Sequence, residues 1–183
     1  MNDKVTDAAL TDKLQQIKLL ALDVDGVLSD GKLYYGNDGE ELKCFSILDG
    51  LGIKLLQDNG ITVAIITGRQ SNIVARRASE LSITHIVQGR EDKATALAEL
   101  LQQTGFSLEQ TAYMGDDLPD LAAIMICGFG ATVANGHSAV KQRADWISGK
   151  SGGEGAVREL ADTLLQAQGN YDNCIGRYLP EAD

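Results

Sequence analysis

Leu19-Leu20-Ala21-Leu22 runs without a polar break straight into Asp23-Val24-Asp25-Gly26. No other feature constrains the fold as tightly. A short unbroken apolar run suits a strand buried on both faces, as in a parallel sheet covered by helices on each side. Similar runs fall at 61–66, 83–87, 111–114, 129–133 and 146–147. Amphipathic stretches separate them, and helices are expected near 5–16, 50–58, 71–81, 91–103, 119–126, 137–143 and 154–167. Gly60 and Gly105 stand where glycine ends a helix, Ser107 and Gln110 have capping-box spacing, and Pro119 suits a first helical turn. This rhythm predicts one α/β domain over 1–183, a doubly wound and mostly parallel sheet.

Two segments depart from the rhythm. Residues 33–45 read as a β-hairpin with a polar tip at Gly36-Asn37-Asp38-Gly39, inserted after the first strand. The glycine-rich stretch 149–155 reads as a mobile loop, and 169–183 as a weakly anchored, flexible tail.

Composition excludes several classes of function. A formal net charge of −10 disfavours nucleic acid and anionic membrane surfaces as partners. No apolar run approaches the roughly 20 residues of a spanning helix, and residues 1–16 lack the pattern of a secretory leader. The three cysteines, Cys44, Cys127 and Cys174, are far apart. They argue against a disulfide framework or a zinc site, and for a reducing, cytoplasmic setting.

The chemistry-bearing residues follow the apolar runs. Asp23 and Asp25 follow the first, Thr67-Gly68-Arg69 the second, and Lys93 lies beyond the third. Gly115-Asp116-Asp117, with Asp120 one turn on, follows the fourth. In a parallel sheet all four clusters meet at the carboxyl edge, where such folds bind ligands. Carboxylates packed this closely repel one another unless protonated or bridged by a cation. Oxygen ligands with no His/Cys cluster point to magnesium rather than a softer metal. Thr67 and Lys93 suit phosphoryl oxygens, and a carboxylate is the best available nucleophile, giving an aspartyl-phosphate. No Gly-x-x-x-x-Gly-Lys-Ser/Thr loop supports a nucleotide enzyme of the P-loop kind.

In order and spacing these motifs resemble the haloacid dehalogenase superfamily. Asp23-Val24-Asp25-Gly26-Val27, Thr67, Lys93 and Gly115-Asp116-Asp117-Leu118-Pro119-Asp120 match its four motifs. The resemblance implies Asp23 as nucleophile and Asp25 as general acid and then base. Thr67 and Lys93 would hold the phosphoryl group. Magnesium, with manganese or cobalt as alternatives, would be held by Asp23, the Asp25 carbonyl and Asp116. Asp117 and Asp120 would orient Lys93 or metal-bound water. Neither 26–66 nor 68–92 has room for a cap domain of about 50 residues or more beside the elements expected there. The implied enzyme is therefore capless.

Residues 22–31, the hairpin with Gly39-Glu40-Glu41-Leu42-Lys43, Asp49-Gly50-Leu51-Gly52-Ile53, Ile66-Thr67-Gly68-Arg69 and 152–159 sharpen the likeness. They are similar to the 3-deoxy-D-manno-octulosonate 8-phosphate phosphatase family, which serves lipopolysaccharide precursor synthesis. That likeness implies a cytoplasmic bacterial phosphomonoesterase acting on a small sugar-acid phosphate. It implies a homotetramer in which hairpins form a central barrel and neighbours complete each site. The implied substrate contacts are Asp25, Ser46, Ile47, Leu48, Asp49, Gly50, Lys54, Arg69, Arg77 and Lys93. Lys54 stands where the family has arginine, and Arg77 would serve the adjacent subunit's site. Tyr34 and Tyr35 are expected to pack at the interface, and His85 and His137 to be structural. The alternative substrate is a nine-carbon sugar-acid 9-phosphate; Arg69, where those relatives carry Glu, favours the eight-carbon compound. A phospho-accepting receiver-like domain and a silent tetramerisation module are the more distant alternatives.

Overall fold

The computed structural model describes residues 8–180. Six strands form the main sheet: β1 (Leu19–Leu22), β4 (Thr62–Ile66), β5 (His85–Val87), β6 (Thr111–Met114), β7 (Phe129–Thr132) and β8 (Trp146–Ile147). Their order is β5-β4-β1-β6-β7-β8, and every pairing is parallel. The chain builds outward from β1 on one side and from β6 on the other. The direction of winding therefore reverses between these two strands, where open α/β sheets hold their ligands. Asp23 follows β1 and Asp116 follows β6, so both carboxylates flank that crevice.

Residues alternate between the two faces of the sheet with period two. Leu20, Leu22, Val63, Ile65, Ala112 and Met114 face one core, with Leu14 of α1 (Ala8–Gln16), Leu56 of α2 (Ile47–Asp58), Val74 of α3 (Asn72–Glu80) and Leu160 of α7 (Ala156–Ala167). Leu19, Ala21, Ala64, Ile66 and Tyr113 face the other, with Leu97 of α4 (Lys93–Thr104), Ile124 of α5 (Leu121–Ile126) and Val140 of α6 (Ser138–Lys141). Both faces are covered, so the sheet is doubly wound as expected. Of the first expected helix, 5–16, the start at 5–7 lies outside the described residues.

The hairpin forms outside the sheet with shorter strands than 33–45 implies: β2 (Tyr34–Tyr35) pairs antiparallel with β3 (Glu41–Leu42). A single bridge, Ser29 to Phe45, fastens its base. Three local expectations shift. Helix α2 begins at Ile47 rather than near 50, because the Ser46 hydroxyl accepts from Leu48 N and caps it. Residues 118–126 split into a 3-10 turn (Leu118–Asp120) followed by α5. Gln110 does reach back to Ser107 N at 3.2 Å, but it closes a turn before β6 and starts no helix.

The glycine-rich loop is tied down. Gly152 N donates to Asn135 Oδ1 (3.0 Å), Gly153 N to Val27 O (2.9 Å) and Gly149 N to Glu159 (2.8 Å). A Cβ at Gly152 would lie 1.7 Å from Gly26 O, so only glycine lets this strap lie on the Asp23–Gly26 turn. Beyond residue 168, α8 (Tyr171–Gly176) buries Cys174, and Arg177 pairs with Asp58 at 3.2 Å. Among the described residues no helix is long and apolar enough to cross a membrane.

Candidate active site

The chain turns sharply after β1. Ser29 N closes a wide turn on Val24 O at 2.9 Å, and Gly26 takes φ +97. A Cβ at Gly26 would lie 2.1 Å from Asp116 Oδ2, so the missing side chain lets Asp116 close on this turn. An open cleft of about 410 Å³ results, lined by Asp23, Asp25, Thr67, Gly68, Arg69, Lys93, Asp116, Asp117 and Asp120 among others. Four separate sequence clusters thus meet at one sheet edge.

Lys93 opens α4 and is buried, with its Nζ 2.8 Å from Asp23 Oδ1 and 2.6 Å from Asp120 Oδ1. Burial disfavours its charge, but Asp23 and Asp120 outweigh that and hold its pKa above the usual lysine value. Asp120 is saturated. Oδ1 also accepts from Tyr113 OH at 2.8 Å, and Oδ2 accepts from Asp116 N (3.1 Å) and Asp117 N (3.2 Å). Asp117 accepts from Leu118 N and caps the 3-10 turn. Burial first, and the charge of Asp120 second, push the Asp23 carboxyl up to about 7 against the pull of Lys93. The same two causes raise Asp116 to about 7.

One carboxylate oxygen from each of Asp23, Asp116 and Asp120 lies within 4.8 Å of the others. Asp120 has its lone pairs committed to four donors, which leaves Asp23 and Asp116 as the carboxylates suited to a hard divalent cation. The approach of Asp116 to the Gly26 turn, which brings one of its oxygens within 4.8 Å of an Asp23 oxygen, fits such an ion. A positive charge there would offset the burial, and the charge of Asp120, that raise both pKa values.

The residues expected at the substrate divide into two groups. Arg69 lines the cleft, with Nη2 3.4 Å from Tyr35 OH and 3.6 Å from Glu41. The other group does not reach this chain's cleft. Arg77 Nη2 donates to Ser46 O at 3.2 Å, and its guanidinium lies 5.9 Å from the centre of the Phe45 ring. Gly50 gives it room, since a Cβ there would lie 2.5 Å from Arg77 Nη2. Ser46 caps α2, while Ile47 and Leu48 are exposed. The buried Asp49 carboxylate accepts from Arg158 N at 2.8 Å and so caps α7 from a distance; burial raises its pKa despite these bonds. Lys54 lines a separate cleft of about 610 Å³ at the amino ends of β4 and β5, with His85 and Asp58. That cleft is larger but lacks a convergent acidic set.

Three participants escape a reading of the sequence. Lys43 pairs with Asp25 Oδ1. Nothing in a polar hairpin marks one lysine as buried. Tyr113 could have been found, because a hydroxyl in a strand buried on both faces needs a partner. Asn135, which holds the glycine strap, has no sequence signature.

Residues 71–160 match the family model of haloacid dehalogenase-like hydrolases. The 3-deoxy-D-manno-octulosonate 8-phosphate phosphatase of Escherichia coli (strain K12) is 47% identical over 165 residues, 90% of this chain and 88% of that protein. The corresponding protein of Haemophilus influenzae is 47% identical over 157 residues, covering 86% and 87%. Among solved structures, the Moraxella catarrhalis phosphatase in complex with a magnesium ion, a phosphate ion and a KDO molecule aligns with TM-score 0.92. It is 49% identical over 93% of this chain and 98% of that one. The cobalt-bound Haemophilus influenzae phosphatase aligns with TM-score 0.87 and 45% identity, covering 91% and 99%.

Proposed function

We propose, from the premise that this chain belongs to the 3-deoxy-D-manno-octulosonate 8-phosphate phosphatases within the haloacid dehalogenase-like hydrolases, that it releases phosphate from that eight-carbon sugar acid. It is a magnesium-dependent phosphoric monoester hydrolase. The carrying observation is the Lys93 ammonium held between Asp23 and Asp120, with Asp116 across the crevice.

That geometry, with the family membership, supports the following roles. Asp23 attacks phosphorus, and the ester oxygen departs as Asp25 gives it a proton. Water then attacks the aspartyl-phosphate on Asp23 while Asp25 takes up a proton. Lys93, fixed by Asp120, and Thr67, buried at the end of β4, hold phosphoryl oxygens throughout. Asp23, the Asp25 carbonyl and Asp116 would hold magnesium, which would supply the positive charge that lets these anionic groups approach a phosphate. Asp117 shapes the turn that presents Asp116. Arg69 offers the substrate carboxylate a guanidinium from the same cleft.

A homotetramer in the bacterial cytoplasm is part of the same proposal. Leu33, Tyr35, Leu42, Ile47 and Leu48 are exposed along the hairpin and the start of α2, an apolar surface that a second copy would cover. Packing there would bring Ser46, Ile47, Leu48 and Arg77 toward a neighbour's cleft, which supports Arg77 as a contact across subunits; Lys54 lines the separate cleft at the amino ends of β4 and β5. A phosphate-release panel tests the substrate. The eight-carbon 8-phosphate should exceed nine-carbon 9-phosphates in kcat/KM by at least about tenfold, a difference of 1.4 kcal/mol. Equal rates would remove the assignment to the eight-carbon acid.

A further inference from the structure

The hairpin also reaches into the cleft of its own chain. Lys43 follows β3 directly, and its side chain is only 1% exposed, although Leu42 and Cys44 on either side are exposed. A surface lysine normally buries its stem and keeps its amine in water. Here the amine is buried as well. Its Nζ pairs with Asp25 Oδ1 and lies 3.7 Å from Glu41 Oε1. That Glu41 oxygen is buried with no hydrogen-bond partner, and lies 3.6 Å from Arg69 Nη2. Two cations therefore bracket Glu41, and two carboxylates bracket Lys43. A buried ammonium costs several kcal/mol unless carboxylates compensate it. A mere surface hairpin has no need for such an arrangement.

We propose that Lys43 is a positioning residue for proton transfer: by holding Oδ1 of Asp25 it leaves Oδ2 to meet the leaving group. This rests on Asp25 being the acid and base of the function proposed above. As the bond from Asp23 to phosphorus forms and the ester P–O bond breaks, the proton on Asp25 Oδ2 passes to the departing alkoxide. The carboxylate left behind faces the Lys43 ammonium, which keeps its own protons. In the second half, water bonds to phosphorus, its proton goes to Oδ2, and the Asp23–phosphorus linkage breaks. Lys43 acts only through Asp25 and touches no reacting atom.

Leaving-group dependence separates this role from a structural one. A sugar alkoxide needs a proton to depart; p-nitrophenolate does not. Lys43→Met, Lys43→Arg and Asp25→Asn are compared with the native enzyme in single turnovers at saturating magnesium. The two esters are 3-deoxy-D-manno-octulosonate 8-phosphate and p-nitrophenyl phosphate. Lys43→Met should slow cleavage of the sugar ester about tenfold to hundredfold, part of what a general acid contributes, and the aryl ester less than about threefold. Lys43→Arg should recover most of the loss. Equal losses on both esters, or no loss on the sugar ester, would overturn the proposal. If Asp25→Asn itself slows both esters equally, the assignment of Asp25 as the acid falls instead. Should Lys43→Met fail to fold, Lys43→Gln and Lys43→Arg carry the same comparison.

Discussion

Replacing Asp120 by Asn tests the anchoring of Lys93 with little change of shape. Four donors converge on the two Asp120 oxygens: Lys93 Nζ and Tyr113 OH on one, and the amides of Asp116 and Asp117 on the other. An asparagine can serve only one side. Whichever way its amide turns, an NH₂ faces two of the four donors. Each orphaned donor costs about 1–3 kcal/mol, so the hydrogen-bond loss is about 2–6 kcal/mol. A second effect opposes it, because Asp120 helps to raise both Asp23 and Asp116, and losing its charge relieves them. One unit of pKa relief is worth only about 1.4 kcal/mol, so the loss wins. The net expectation is about 2–4 kcal/mol of stability in the absence of metal. With a urea slope of about 2 kcal/mol/M the midpoint falls by about 1–2 M at unchanged slope. Turnover should drop about tenfold or more as Lys93 loses its orientation. Stabilisation by magnesium should persist, since Asp120 is not assigned as a ligand. A midpoint within about 0.2 M of the native one, with full activity, would refute the anchor; loss of the magnesium effect would make Asp120 a ligand instead.

Three further outcomes are expected. Asp23 and Asp116 rise from 3.8 unfolded to about 7 in the folded chain without metal. A raised carboxyl stabilises the fold fully below the unfolded value, and that contribution is lost as pH rises through about 7. Magnesium must displace those protons, so its upward shift of the unfolding temperature should be larger at pH 8 than at pH 5.5; equal shifts would contradict this. Gly26→Ala places a Cβ against Asp116 at a backbone angle that favours glycine, and apparent magnesium affinity by calorimetry should fall about tenfold to hundredfold. Asp49→Ala removes the distant cap of α7 and should cost about 1–2 kcal/mol in denaturant unfolding, with no change in the rate of p-nitrophenyl phosphate cleavage.

The sheet and the acidic crevice were legible because each rests on local pattern. Unbroken apolar runs mark strands buried on both faces, and a parallel sheet carries whatever follows them to one edge. Asp23, Thr67, Lys93 and Asp116 therefore fell together from the sequence. What stayed hidden depends on pairs distant in the chain. Asp49 reads as a polar residue in a helical first turn, and only the packed fold reveals that it caps α7 through Arg158. The glycines at 149–155 signal conformational freedom, but here they permit the close approach of Gly152 to Gly26. Lys43 looks like any charged hairpin residue until Asp25 and Glu41 close around it. Periodicity reports which face a residue occupies, not which side chain it meets.

Trapping the covalent species decides the matter most directly. Enzyme quenched during turnover and reduced with borohydride converts an aspartyl-phosphate to homoserine, which peptide mass spectrometry locates. The modification is expected at position 23 and nowhere else. Homoserine at another aspartate, or none while substrate is being consumed at full rate, would show that Asp23 does not carry the phosphoryl group.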